Sequence, residues 1–186
     1  MNRHHWALGL FTAASVIATQ QAGAIELAGG RTAFIRPPQF IEASTTRNYV
    51  MRRNATYFFT LEMPSDADAS LQSVVIAPQN LTRHLRPYHL EETVAFAESS
   101  GEARSSLDIS GVSIDEETKA VTVDFDPPVA PGQLVTIGLR PTRNPRLDGT
   151  YVFRVTAVPV GDRPQAHIAG HGRLNFIDND RGRIYD

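Results

Sequence analysis

The stretch from residue 121 to residue 161, VTVDFDPPVAPGQLVTIGLRPTRNPRLDGTYVFRVTAVPVG, limits what this chain can fold into more than any other. It holds three runs in which apolar and polar residues alternate, and a period of two is the mark of a half-buried strand. Val121, Val123 and Phe125 share one face, and Val135, Ile137 and Leu139 share another. Tyr151, Phe153, Val155 and Ala157 form a third, with Val152, Arg154, Thr156 and Val158 behind them. Proline and glycine separate the runs. Pro127, Pro128 and Pro131 end the first and leave Gly132 to take a positive φ, Pro145 holds Asn144 extended, and Asp148-Gly149 is a tight-turn pair before Tyr151. Three strands joined by short turns predict an antiparallel meander, the seed of a sandwich or barrel.

The remainder reads around that seed. Residues 25–50 form an extended lead-in with one edge strand, because Pro37 and Pro38 cannot donate to a ladder. Residues 55–63 are a strand with Tyr57, Phe59, Leu61 and Met63 on one face, and residues 71–77 are a second, predicted to pair with it as a hairpin-like unit. Residues 80–88 are irregular or a single helical turn interrupted by Pro87. Residues 89–98 read as a strand with Val94 and Phe96 inward, or as a short helix. Residues 99–106 are a polar loop, and Val112 and Ile114 lead through DEETK into the meander. Ile168, Gly170, Gly172, Leu174 and Phe176 alternate in a last strand whose glycines mark a close approach or a bulge. About seven strands and no convincing long helix predict an all-β, immunoglobulin-like antiparallel β-sandwich, with a small β-barrel as the alternative.

Three regions follow: a signal peptide over 1–24, one β-sandwich domain over 25–178, and a charged tail over 179–186. Arg3, His4 and His5 precede an apolar run from Trp6 to Ala18, and Ala22-Gly23-Ala24 is the small-x-small pattern read by signal peptidase. That run, broken by Gly9, Thr12 and Ser15, falls short of the roughly 20 residues a membrane span needs. The chain has no cysteine, which removes disulfides, thiolate metal sites and a cysteine nucleophile. Export without disulfides points to a bacterial envelope, periplasmic or extracellular. Losing Arg3 with the leader takes the 18 Lys+Arg to 17 against 20 Asp+Glu, a formal net of −3. Nucleic acid, which needs a basic face, is thereby excluded as a general partner.

The elements YFFTLEMP, LQSVVIAPQ, FDPPVAPG, RPTRNP, GTYVFRVTAVPVG and GRLNFID resemble a family of small exported cyanobacterial proteins catalogued as a domain of unknown function (DUF 2808), and the resemblance runs over about residues 37–178. The turn SDADAS departs from the glycine-containing turn expected there. The resemblance implies export and a single β-rich domain; it implies no catalytic residue, cofactor or ligand.

Candidate chemistry is sparse. G-x-S-x-G, H-E-x-x-H and G-x-x-x-x-G-K-[ST] do not occur, and His89-Leu90-Glu91 matches half of a deaminase motif whose cysteine half is impossible here. Asp124 and Asp126 share a strand face, where paired carboxylates are ordinarily solvated. The chain therefore reads as non-catalytic and cofactor-free. Asp178 to Gly182 only faintly matches a calcium loop, with its glycine misplaced. His84, His89, His167 and His171 offer a copper-type metal set as an alternative function, although on a strand four residues span roughly 13 Å and keep His167 from His171 unless a bulge intervenes. Arg140, Arg143 and Arg146, spaced by three between two strands, offer guanidinium forks to an acidic envelope polysaccharide. The expected role is binding or structural association at the envelope, with an envelope protein or acidic polysaccharide as partner.

Overall fold

The computed structural model describes residues 26–27, 31–80, 82–99, 101 and 103–178; the expected leader (1–24) and all but the first residue of the calcium-like run lie outside these, as does the tail (179–186). Twelve strands follow in order: β1 (Glu26–Leu27), β2 (Arg31–Thr32), β3 (Gln39–Thr45), β4 (Tyr57–Glu62), β5 (Leu71–Pro78), β6 (Val94–Ser99), β7 (Ser105–Ser106), β8 (Ile109–Ile114), β9 (Val121–Val129), β10 (Gln133–Leu139), β11 (Gly149–Pro159) and β12 (His167–Phe176). Setting aside the two-residue pieces β1, β2 and β7 leaves nine strands among the described residues, two more than the expected seven. Two five-stranded sheets, β3-β4-β10-β6-β7 and β12-β11-β5-β9-β8, lie face to face as a sandwich, and every pairing within them is antiparallel. The barrel alternative is set aside, since each sheet keeps two open edges.

The alternating residues are the core. Tyr57, Phe59 and Leu61 on β4 and Val135, Ile137 and Leu139 on β10 face Tyr151, Phe153, Val155 and Ala157 on β11, all at most 1% exposed. Phe59 and Phe153 meet edge to face across the interior with ring centroids 5.3 Å apart. Burying each such side chain contributes about 1.5–3 kcal/mol, so this interdigitation is the main force holding the layers together. At one side of the sandwich Gly170 and Gly172 of β12 lie under Phe40 and Ala43 of β3, and a Cβ at Gly172 would stand 2.9 Å from both side chains. The register of β11 with β12 also shifts between Val155 and Thr156, so the glycine strand carries both a close approach and a bulge.

Three expectations change. The meander does not exist as a sheet: β9 and β11 lie in one sheet and β10 in the other, so consecutive strands cross between layers. Residues 55–63 and 71–77 are likewise not a hairpin, because β4 pairs with β3 and β10 whereas β5 pairs with β9 and β11. Alternation reports which face of a strand is buried, and in a sandwich both layers bury the face toward the same core, so the pattern is blind to the partner. On β6 the inward residues are Ala95 and Ala97, with Val94 40% exposed and Phe96 half-buried outside. Leu90, Leu107 and Ile109 pack, partly buried, against the core, and Phe96 is covered by the Arg104 guanidinium 4.7 Å from its ring.

Candidate functional site

One end of the sandwich is organised around Asn144, which is fully buried. Its Oδ1 accepts a hydrogen bond from the Tyr57 hydroxyl at 2.9 Å, and its Nδ2 donates to the carbonyls of Arg47 at 2.9 Å and Tyr49 at 2.8 Å. Burial pushes the Tyr57 phenol well above its ordinary value, so it stays a donor at any physiological pH. The Asn-Pro pair that sequence marks as a turn is thus also a polar pin driven into the end of the core.

Backbone hydrogen bonds stitch three segments to one another around that pin. Asn144 N donates to Arg52 O at 2.7 Å and Met51 N to Pro145 O at 3.0 Å; Thr142 N donates to Pro87 O and His89 N to Arg140 O, both at 2.8 Å. Met51 and Asn54 hold positive φ values of 59° and 56°, a conformation that costs a side-chain-bearing residue about 1–2 kcal/mol and persists here because the chain is tied on both sides. Residues 49–54, 86–89 and 140–145 therefore form one stitched platform at the end of a rigid scaffold.

That platform carries cations. Arg140 is engaged: its Nη1 lies 2.6 Å from Glu92 Oε2 and its Nη2 3.5 Å from Asn54 Oδ1. Arg143 is different. With Arg53, Arg86, Pro87, His89 and Thr142 it lines an open depression of about 460 Å³. Among the described residues Arg53, Arg86 and Arg143 form no ion pair, and the Nε of Arg86 is buried without a hydrogen-bond partner. Arg86 and Pro87 also border a second, more apolar depression of about 410 Å³ with Leu85, Tyr88, Leu90 and Ile114. Arg146 stands exposed and outside both depressions. The sequence-predicted trio is thus divided into one paired, one depression-lining and one solvated arginine. Arg53 and Arg86 escaped sequence reasoning because they fall in unpatterned loops, where only the basic pair Arg52-Arg53 and the dipeptide Arg86-Pro87 gave any signal.

The four histidines are dispersed. His171 is opposite Arg154, which lies on the outer face of its sheet, and His167 is opposite Ala157, which points to the core, so the bulge places the two imidazoles on opposite sides. His84 accepts a hydrogen bond at Nε2 from Arg83 Nε at 3.1 Å. His89 instead gathers with Glu91 and Glu92, their ligand atoms all within 4.8 Å of one another, but Glu92 is the carboxylate already held by Arg140. Asp124 is half-buried and Asp126 exposed on β9.

Two kinds of comparison place the chain among known proteins. Among solved structures it is similar to a collagen-binding domain from a Staphylococcus aureus adhesin, at 7% identity and a TM-score of 0.39 over 74% of this chain and 98% of that one. It is also similar to self-complemented MyfA, the major subunit of Myf fimbriae from Yersinia enterocolitica, at 10% identity and a TM-score of 0.41 over 77% and 100% of the two chains. A third is the cohesin module of a Clostridium perfringens family 33 glycoside hydrolase, at 13% identity and a TM-score of 0.40 over 75% and 98%. No curated protein matches the chain in sequence. The family model described as "protein of unknown function (DUF2808)" matches residues 31–176, from β2 to the last residue of β12, and the chain accordingly belongs to the DUF2808 family.

Proposed function

We propose that this chain is an exported, non-catalytic domain that binds acidic polysaccharide at the cell envelope through the arginine-bearing end of its sandwich. One observation carries the reading: three loop segments, pinned by Asn144 and stitched by four backbone hydrogen bonds of 2.7–3.0 Å, hold arginines at one end of a rigid two-layer scaffold. Loops fixed on a scaffold are where recognition residues sit, and guanidinium forks suit carboxylates and sulfates. The formal net charge, −2 for the full chain and −3 once Arg3 leaves with the leader, supplies no general attraction for anions, so binding is local to that end. Export rests on the basic, apolar and Ala-Gly-Ala pattern of residues 1–24.

The test is the native location. Protein recovered from the producing cell should have an intact mass beginning at Ile25 and should sediment with the envelope, leaving it as salt is raised. Protein found only in the cytoplasm, or held by the envelope with no sensitivity to salt or to added acidic polysaccharide, would overturn the reading.

A further inference from the structure

We propose that the depression between Arg53, Arg86, His89, Thr142 and Arg143 is the subsite that takes a single oxyanion group of an acidic glycan, a uronate carboxylate or a sulfate ester. The inference rests on the reading of the chain as a polysaccharide binder and narrows it to one place and one chemistry.

Three features support it together. The first is the contrast between neighbours on the same platform, where Arg140 is neutralised by Glu92 at 2.6 Å while Arg53, Arg86 and Arg143 converge with no described acidic partner. Like charges brought together without counter-charge repel, and a shared oxyanion turns that repulsion into attraction. The second is positional fixity. Asn144 N is bonded to Arg52 O, Thr142 N to Pro87 O and His89 N to Arg140 O, so each arginine is adjacent to a tied backbone position and little of its main-chain freedom is left to lose on binding. The third is Arg86 itself, which lines the depression and whose Nε is buried without a partner, so its guanidinium carries a donor that no described group satisfies.

The remaining lining selects the class of molecule. Thr142 and His89 offer a hydroxyl and an imidazole to sugar hydroxyls, and Pro87 offers an apolar ring to the C–H face of a sugar. The rim is of mixed sign, since Glu91 Oε1 lies 3.7 Å from His89 Nδ1 and Glu92 sits against Arg140. A dense polyanion with a charge on every short repeat would meet those carboxylates. A glycan with its charges spaced by neutral rings can seat one anionic group and avoid them.

The experiment uses the untagged full chain in isothermal titrations against a hyaluronan oligosaccharide, whose uronates alternate with neutral rings, an oligosaccharide sulfate ester, neutral dextran and inorganic polyphosphate, at low and at physiological salt. Either the carboxylated or the sulfated probe, or both, should bind, and which of them does identifies the source of the oxyanion. Arg53→Gln/Arg86→Gln/Arg143→Gln should weaken that binding at least about tenfold, whereas Arg31→Gln/Arg163→Gln/Arg173→Gln should change it by less than about twofold. If the first triple variant does not fold, Arg53→Gln/Arg143→Gln removes charge without touching the buried Nε and should still weaken binding several-fold. Full binding of an acidic glycan by the pocket variants would remove this subsite and leave the polysaccharide reading intact. Absence of acidic-glycan binding by the parent at low salt would remove that reading too. Tighter binding of polyphosphate, or equal binding of dextran, would refute the ligand class.

Discussion

Replacing Asn144 with alanine should be the most damaging single polar substitution at the loop end. The change strips the Tyr57 hydroxyl of its 2.9 Å acceptor, and a buried donor left unmet costs about 1–3 kcal/mol. Two further bonds go with it, each with a net value of about 0.5–1.5 kcal/mol. The Arg47 carbonyl keeps a second donor in Thr45 Oγ1 at 3.0 Å, which places its loss at the low end. The total is about 2–5 kcal/mol against the roughly 5–15 kcal/mol stability of an ordinary domain, and corresponds to a fall of roughly 5–20 °C in the thermal midpoint. Denaturant melts and calorimetry read the global effect. Hydrogen exchange at the Met51 and Thr142 amides reads the local one, since both donate across the platform that Asn144 pins. Tyr57→Phe should cost about 1–2 kcal/mol, and the double variant should cost clearly less than the sum, because both changes delete the same bond. Additive effects, or an Asn144→Ala midpoint within a degree or two of the parent, would refute the pin.

Phe153→Ala, at a position 1% exposed and packed edge to face against Phe59, should lose about 3–5 kcal/mol, while Thr156→Ala on the other face of β11 should lose little; equal melts would mean the faces are misassigned. Gly172→Val should destabilise by about 1–3 kcal/mol through overpacking against Phe40 and Ala43, and a neutral result in urea unfolding would show that β3 and β12 do not meet there. Glu92→Gln releases Arg140 from its 2.6 Å partner and removes a carboxylate from the rim, so affinity for an acidic oligosaccharide should rise several-fold at low salt; a fall would contradict the electrostatic account.

The inward faces of β4, β9, β10, β11 and the end of β12 were legible because in each the bulkiest apolar residues recur at every second position, even where Phe58, Leu134, Val152 and Val158 make the other face partly apolar. On β6 the run Val-Ala-Phe-Ala also alternates, but both phases are apolar, and bulk alone chose the wrong one. Strand partners were not legible, since a two-residue period identifies a face and carries no information about the neighbouring strand; only the crossing of the chain between layers separates β9 from β10. At the site, Arg143 was visible as part of a charged, proline-bounded loop. Arg53 and Arg86 were not, because their convergence depends on backbone bonds between segments more than 30 residues apart, such as Asn144 N to Arg52 O and Thr142 N to Pro87 O. His167 and His171 show the reverse: a spacing that would suit a helix falls on a strand, and the bulge between them sets them opposite residues of different faces.

The most direct test of the account is a titration of the folded chain with a hyaluronan oligosaccharide, whose uronates alternate with neutral rings, or with the sulfated probe if that is the one bound, followed by NMR of the arginine side-chain Nε–H groups. The account expects shifts concentrated at Arg53, Arg86 and Arg143, with Arg86 the most affected because its Nε is the buried donor without a partner, and with Arg31, Arg163 and Arg173 unmoved. Shifts spread evenly over exposed arginines, or confined to Arg146 and the residues around it, would contradict it.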